Sequence, residues 1–171
     1  VDNRMIHNIG IYGHSYGPET QSRWNGLVGR LELIATDPVY LRHIEVHPAA
    51  DRRSLDITLE VRNLTSETLD ARLALKVLEE SGEHSLGSRQ KKMTLTPGPQ
   101  TVETSVLIDQ PVSAWDEFST ARYRLLTDLQ TERYRHQAIE SFGFRHVERD
   151  GRQIRVNGRP IFLRGTLDCC V

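Results

Sequence analysis

The sequence predicts an all-β protein built as an antiparallel β-sandwich. Three observations carry this. Apolar residues recur at every second position in several runs, the period of a strand with one dry and one wet face. Clusters of turn-forming residues punctuate the runs at roughly 8–12 residue intervals, the spacing of short sandwich strands. Hydrophobic residues make up 37% of the chain, with a mean hydropathy of −0.48, which suits a thin core under much wet surface.

In chain order, residues 1–37 begin with loop chemistry rich in Gly and His between Gly10 and Gly17. They end in a strand-like run from Leu27 to Ala35, broken at Asp37-Pro38. A lone strand cannot bury its own face. Leu55, Ile57, Leu59 and Val61 then alternate with Asp56, Thr58, Glu60 and Arg62. Leu69, Ala71, Leu73, Leu75 and Val77 alternate as well. Leu69, Leu73 and Val77 also fit helical spacing, but the runs on both sides are strands, so a strand is expected here too. Turns are expected at Glu80-Ser81-Gly82-Glu83 and at Thr96-Pro97-Gly98-Pro99. Val102, Thr104, Val106 and Ile108 form the next run. Tyr123, Leu125, Thr127 and Leu129 face away from Arg122, Arg124 and Asp128, and Asp128 to Thr131 is expected to link this run to the one through Tyr134. Shared parity puts Leu55, Leu59, Val61, Val106, Tyr123 and Leu125 in the core. Near the end, Ile154-Arg155-Val156 and Ile161-Phe162-Leu163 flank Asn157-Gly158, a strong short-range hairpin signal.

The span 38–148 is close to the roughly 100 residues of an immunoglobulin-like domain. No cysteine lies inside it, so an inter-sheet disulfide is excluded. The flanks read as partial strands from neighbouring domains, and the start at Val1-Asp2-Asn3-Arg4 reads as the interior of a longer polypeptide.

Charge narrows the functional classes. Lys and Arg number 22 against 23 Asp and Glu, a net charge of −1. No strong field gathers nucleic acid or an anionic membrane, and no apolar run approaches the roughly 18 residues of a membrane span. Cys169 and Cys170 are neighbours, and a disulfide between them would close a small strained ring. Two thiols alone make no zinc site. His43 and His47 would lie about 13 Å apart along a strand, too far to share an ion. No metal and no cofactor is therefore expected, and the cysteines do not reveal the compartment.

Other chemistry-bearing residues have plain structural readings. His14-Ser15-Tyr16 sets a hydroxyl beside an imidazole with no orienting acid. Asn63-Leu64-Thr65 is a glycosylation sequon. Arg122, Arg124, Arg133 and Arg135, interleaved with Tyr123 and Tyr134, could line a basic stripe, but a solvated sheet face fits the neutral charge better. Trp24 and Trp115, the two tryptophans, suit a core or interface better than a sugar platform.

The C-terminal stretch adds a family signal. Ser141-Phe142-Gly143-Phe144-Arg145, followed by Val156-Asn157-Gly158-Arg159-Pro160-Ile161-Phe162-Leu163-Arg164-Gly165, resembles glycoside hydrolase family 2, which holds the β-galactosidases, β-glucuronidases and β-mannosidases. The family's pattern there is a Phe-Gly-Phe-Arg strand, a hairpin with Asn-Gly-Lys-Pro, and a Leu/Ile-Arg-Gly strand that opens a catalytic barrel. Val112-Ser113-Ala114-Trp115 resembles the family's Leu-Trp-Ser segment. Trp24-Asn25-Gly26 through Leu33 resembles the close of its sugar-binding jelly roll.

The resemblance implies three pieces. Residues 1–37 would be the tail of a jelly roll, 38–148 the whole immunoglobulin-like β-sandwich, and 149–171 the first hairpin and strand of a (β/α)8 barrel. It implies a retaining glycosidase whose two catalytic glutamates lie beyond Val171, so this chain alone should be inactive. The acidic pairs that are present, Glu79/Glu80, Asp116/Glu117 and Glu148/Asp150, sit at strand ends and read as wet surface rather than as facing carboxylates. Where many members continue Arg-Gly-Val-Asn-Arg-His, this chain has Arg164-Gly165-Thr166-Leu167-Asp168-Cys169-Cys170. Arg164 and Asp168 are the residues the resemblance sets near substrate.

The implied partners are a carbohydrate substrate and the jelly-roll and barrel domains of a parent chain. Nucleic acid and membrane are not expected. A homodimer through the unpartnered strands would shelter Ile161-Phe162-Leu163. The compartment stays open, with a periplasmic or secreted enzyme compatible with the resemblance. The rival reading is a free-standing fibronectin- or immunoglobulin-like module for adhesion or carbohydrate binding.

Overall fold

The computed structural model describes residues 29–82 and 84–166. Ala35–Ile161 forms the larger of two compact units, and the described residues 29–34 and 162–166 fall outside it. The larger unit holds ten strands: β1 (Val39–Pro48), β2 (Ser54–Asn63), β3 (Leu69–Glu79), β4 (Ser85–Leu95), β5 (Gly98–Leu107), β6 (Tyr123–Thr131), β7 (Arg135–Phe142), β8 (Val147–Asp150), β9 (Gln153–Val156) and β10 (Arg159–Pro160).

Seven of these form the sandwich. One sheet has the order β1-β2-β5 and the other β4-β3-β6-β7, with every pair antiparallel. In a constant-type immunoglobulin domain the fourth strand crosses to the first sheet. Here β4 stays beside β3. The helical alternative for Leu69–Val77 is thereby settled as a strand.

Period two decides which face is dry. Leu55, Ile57, Leu59 and Val61 of β2 are all buried, and they meet the buried Leu73, Leu75, Val77, Leu125 and Leu129 of the other sheet. Register aligns the dry rows: Leu55 faces Val106 and Leu59 faces Val102, while Leu73 faces Leu129 and Val77 faces Leu125. Each such side chain contributes about 1.5–3 kcal/mol of transfer free energy. All six core residues expected from parity are buried.

Tyr123 opens β6 with its ring in the core. Its hydroxyl accepts a hydrogen bond from Ser113 N–H at 2.8 Å and donates to Ser113 O at 3.3 Å. This is the arrangement of a tyrosine corner, where an early residue of a strand ties its hydroxyl to upstream backbone. The ring continues into an aromatic cluster, 6.0 Å from Phe142 and 5.2 Å from Phe144.

The two open sides of the sandwich close differently. On one, β4 approaches β5 so closely that a Cβ at Gly87 would lie 2.0 Å from the Leu107 carbonyl oxygen, and Asp109 N–H donates to Leu86 O at 2.8 Å. On the other, Leu41 N–H donates to His136 Nδ1 at 3.3 Å and Arg135 N–H donates to Asp37 Oδ2 at 3.1 Å, joining β1 to β7.

Several boundaries differ from the sequence reading. β6 runs on through Asp128 to Thr131, and the turn lies at Thr131–Tyr134, held by Thr131 N–H on Tyr134 O and Tyr134 N–H on Thr131 Oγ1, both 2.9 Å. Asp128 is a wet-face strand residue that accepts two hydrogen bonds from the Arg135 guanidinium. The described part of Leu27–Ala35 forms no strand, and Leu31, Leu33 and Ile34 are exposed. The hairpin forms where Asn157-Gly158 placed it, with φ of 52° and 77° at the two turn residues, the signs a type I′ turn requires. Its second arm is shorter than expected. β10 has two residues, one of them Pro160, which has no N–H to donate. Ile161 N–H makes a last rung to Ile154 O at 3.0 Å, while Phe162 and Leu163 lie exposed outside any strand.

Two substitutions test this core. Leu59→Ala should cost roughly 2–5 kcal/mol in denaturant unfolding, and a loss under about 0.5 kcal/mol would show the face to be misassigned. Thr127 is buried with its hydroxyl unpartnered. Thr127→Val should raise stability by about 1 kcal/mol, because an unmade buried hydrogen bond is removed at nearly constant shape.

Candidate functional site

The motifs singled out in the sequence meet at one end of the sandwich. Phe144 lies beyond β7 yet is buried, pairing through an isolated parallel bridge with Ala114. Trp115 N–H donates to Phe144 O at 2.9 Å. Gly143 is required for space: a Cβ there would lie 2.8 Å from the Trp115 Cβ. The Arg145 guanidinium sits 4.9 Å from the Trp115 ring centroid, within reach of a cation–π contact. Trp115 is thus packed against Gly143 and Arg145 and is not a free platform for a sugar.

Asn157 joins the hairpin to this cluster. Its backbone N–H donates to His146 O at 2.8 Å, its Oδ1 accepts from His146 N–H at 2.9 Å, and its Nδ2 donates to Trp115 O at 2.9 Å. Sequence reasoning identified Asn157 as a turn residue and missed this tie. The Asn-Gly signal is satisfied by the backbone alone and does not disclose where the carboxamide goes.

Beside this joint lies an open polar cleft of about 480 Å³, reached by Arg52, Asp116, His146, Glu148 and Arg159. Its carboxylates have structural work. Asp116 Oδ1 accepts Phe118 N–H at 2.9 Å and Ser119 N–H at 2.8 Å, holding a tight turn. Glu148 Oε2 lies 3.8 Å from His146 Nε2. Glu79, Glu80, Glu117, Glu148 and Asp150 are exposed, as a wet surface requires.

The remaining candidates fall apart as sites. His43 and His47 lie on β1 and both reach Glu45, at 3.2 and 3.4 Å on different oxygens. Among the described residues no three His, Cys, Asp or Glu side chains could hold one metal ion. The arginines form no stripe: Arg122 pairs with Glu80, Arg133 with Glu67 and Arg135 with Asp128, while Arg124 lies over Gly82. The sequon is closed. Asn63 is buried, its Nδ2 donating to Glu67 O at 2.9 Å and Leu95 O at 3.1 Å, and its Oδ1 accepting from Thr65 N–H and Oγ1. A glycan on Nδ2 is incompatible with that turn. Arg164 is exposed in an irregular segment. Asp168, His14-Ser15-Tyr16, Trp24 and the two cysteines lie outside the described residues.

Perturbed titrating groups sit on β6 and β7. The Arg135 guanidinium holds the Asp128 carboxyl below its ordinary range, and Asp128 in turn raises Arg135. Burial pushes His136 down, against the opposing pull of Asp37.

Known proteins resemble this chain along most of its length. Residues 39–145 match the family described as glycosyl hydrolases family 2. A β-galactosidase of Pseudoalteromonas haloplanktis is 23% identical over 157 residues, covering 86% of this chain and 15% of the relative. A family 2 glycosyl hydrolase from Bacteroides cellulosilyticus superimposes with a TM-score of 0.65 at 14% identity, over 76% of this chain and 19% of the other. A β-glucuronidase from Bacteroides uniformis does so with a TM-score of 0.61 at 20% identity, over 76% and 17%. The chain therefore spans less than a fifth of the length of each.

The Asn ties can be tested one bond at a time. Asn157→Asp keeps a residue that tolerates positive φ and keeps the acceptor for His146, but removes the donor to Trp115 O. Its expected cost is about 0.5–1.5 kcal/mol, read as faster amide exchange at Val147 and Gln153–Val156 with the β2 amides unchanged. Asn63→Ala, which strands several backbone groups, should cost about 1–3 kcal/mol in global unfolding.

Proposed function

The chain belongs to glycosyl hydrolase family 2, and from that premise we propose that it is the non-catalytic β-sandwich portion of an enzyme that hydrolyses β-glycosidic bonds in carbohydrates. The observation that carries this reading is where the family match falls. Residues 39–145 coincide with β1–β7 and the Phe144-Arg145 joint, the part of the chain with a continuous core.

In this reading the sandwich is a spacer and a rim. Residues 1–37 end a jelly roll, 38–148 hold it against a barrel, and 149–171 lead into that barrel. Arg164 and Asp168 then stand near the mouth where substrate binds. The partners are the flanking domains of the same polypeptide and, through them, a carbohydrate. Two copies can also associate through the exposed Phe162-Leu163 run.

Retaining chemistry needs two carboxyl groups about 5–5.5 Å apart across the scissile bond. The 171-residue chain should therefore turn over no aryl glycoside. Turnover that survives Arg164→Ala and Asp168→Ala would count against the reading. A parent reading frame that continues into a barrel with two glutamates supports it. A frame that stops short, together with carbohydrate binding by the isolated chain, favours the free-standing module. Deleting residues 162–171 and measuring solution mass tests the association: a dimer that becomes a monomer supports it, and a monomer in both forms removes it.

A further inference from the structure

The side of the sandwich where β1 meets β7 is closed by groups that can change protonation. Leu41 N–H donates to His136 Nδ1 at 3.3 Å, bridging residues 95 apart in sequence. A backbone N–H can only donate, so Nδ1 must be unprotonated and the ring must be the neutral Nε2–H form. One hydrogen bond further along, Arg135 N–H donates to Asp37 Oδ2. The imidazole also meets the Tyr40 ring edge-on at 6.1 Å.

We propose that this seam is an acid-opened clasp, in which a proton taken up by His136 releases the Leu41 amide from β7 while Asp37 stays tied to the start of β7 and the two sheets stay joined. The charged surroundings favour such a local exchange. Asp37, just before β1, is the carboxylate that acts on the ring. Tyr40 faces it from β1. On β7 its neighbour Arg135 is occupied with Asp128 of β6. The β6 residue opposite His136 is Leu129, and the β2 residue opposite Leu41 is Val61, both apolar. A protonated ring carries N–H on both nitrogens, so Nδ1–H would confront Leu41 N–H. The same ring gains attraction to Asp37, which already accepts from Arg135 N–H. Protonation therefore trades one partner for another at the start of β1.

The sign follows from burial, which lowers the folded-state pKa of His136 below the ordinary 6.5. An open seam re-solvates the ring and returns it toward that ordinary value. The open form then binds more protons than the closed one below it, so the clasp is fully closed above about pH 6.5 and weakens as pH falls toward the folded pKa. Asp128 is held below the ordinary carboxylate range and stays ionised through this window.

Amide exchange of the 171-residue chain tests the clasp, corrected for intrinsic exchange between about pH 7.5 and about pH 5, the span in which imidazoles titrate. Leu41 protection should fall on acidification, about tenfold for each unit separating the two pKa values. Ile57 and Leu73 amides should keep theirs. His136→Asn places a carboxamide oxygen, which does not titrate, at the position of Nδ1, so Leu41 should stay protected and become pH-independent. His136→Phe should leave Leu41 unprotected at every pH. If the Asn variant fails to fold, nitrogen chemical shifts of the wild-type ring give the answer. They should report the Nε2–H form at neutral pH and titrate in step with the Leu41 amide. Acid loss that persists in His136→Asn, core amides opening together with Leu41, or a ring that titrates independently of Leu41 would each overturn the proposal.

Discussion

The inward row of β2 is the constraint from which the other positions follow. β2 is central in its sheet, with β1 on one side and β5 on the other. A slip of one residue would exchange Leu55, Ile57, Leu59 and Val61 for Asp56, Thr58, Glu60 and Arg62. Burying that charged row without partners is far costlier than any turn could offset. Register is therefore set by the dry face, and the turns must comply. Gly98, at a φ of 101°, starts β5 so that Val102 and Val106 fall opposite Leu59 and Leu55.

The same dry row explains the motif end. Tyr123 carries the core to the edge of the sandwich with Phe142 beside it, and Phe144 extends it beyond the end of β7. Keeping Phe144 buried draws the intervening Gly143 against Trp115, and Trp115 in turn offers its carbonyl to Asn157. The residues that mark the family in this chain act as packing and orienting devices. They make a stiff joint between the sandwich and the hairpin, and its polar groups are largely used up in holding it.

Much of the sandwich was legible because β2, β3, β5 and β6 are regular and half-buried, which writes period two plainly into the sequence. β1 was harder to read. A bulge between Leu41 and His43 inserts Arg42 and shifts the parity, so Val39 and Leu41 do not continue into Ile44 and Val46. β4 was missed because it is an edge strand whose middle, Ser88-Arg89-Gln90-Lys91-Lys92, is polar on both faces and shows no alternation, and its closest packing uses Gly87, which carries no side chain to read. The hairpin turn was legible from Asn157-Gly158, but the roles of the Asn63 and Asn157 carboxamides were not. Side-chain ties between distant segments leave no periodic trace.

The link from Leu41 to His136 spans 95 residues, and that separation bears on how the chain is made. At roughly 5–20 residues per second, the outer edge of β1 waits about 5–20 s on the ribosome before β7 can cover it. In that interval the edge is a template for other nascent chains. The bulge at Arg42 interrupts its ladder, and His43, Glu45 and His47 line its wet face. A flat, apolar first strand would build the same finished sandwich, but it would pass through synthesis with an adhesive edge.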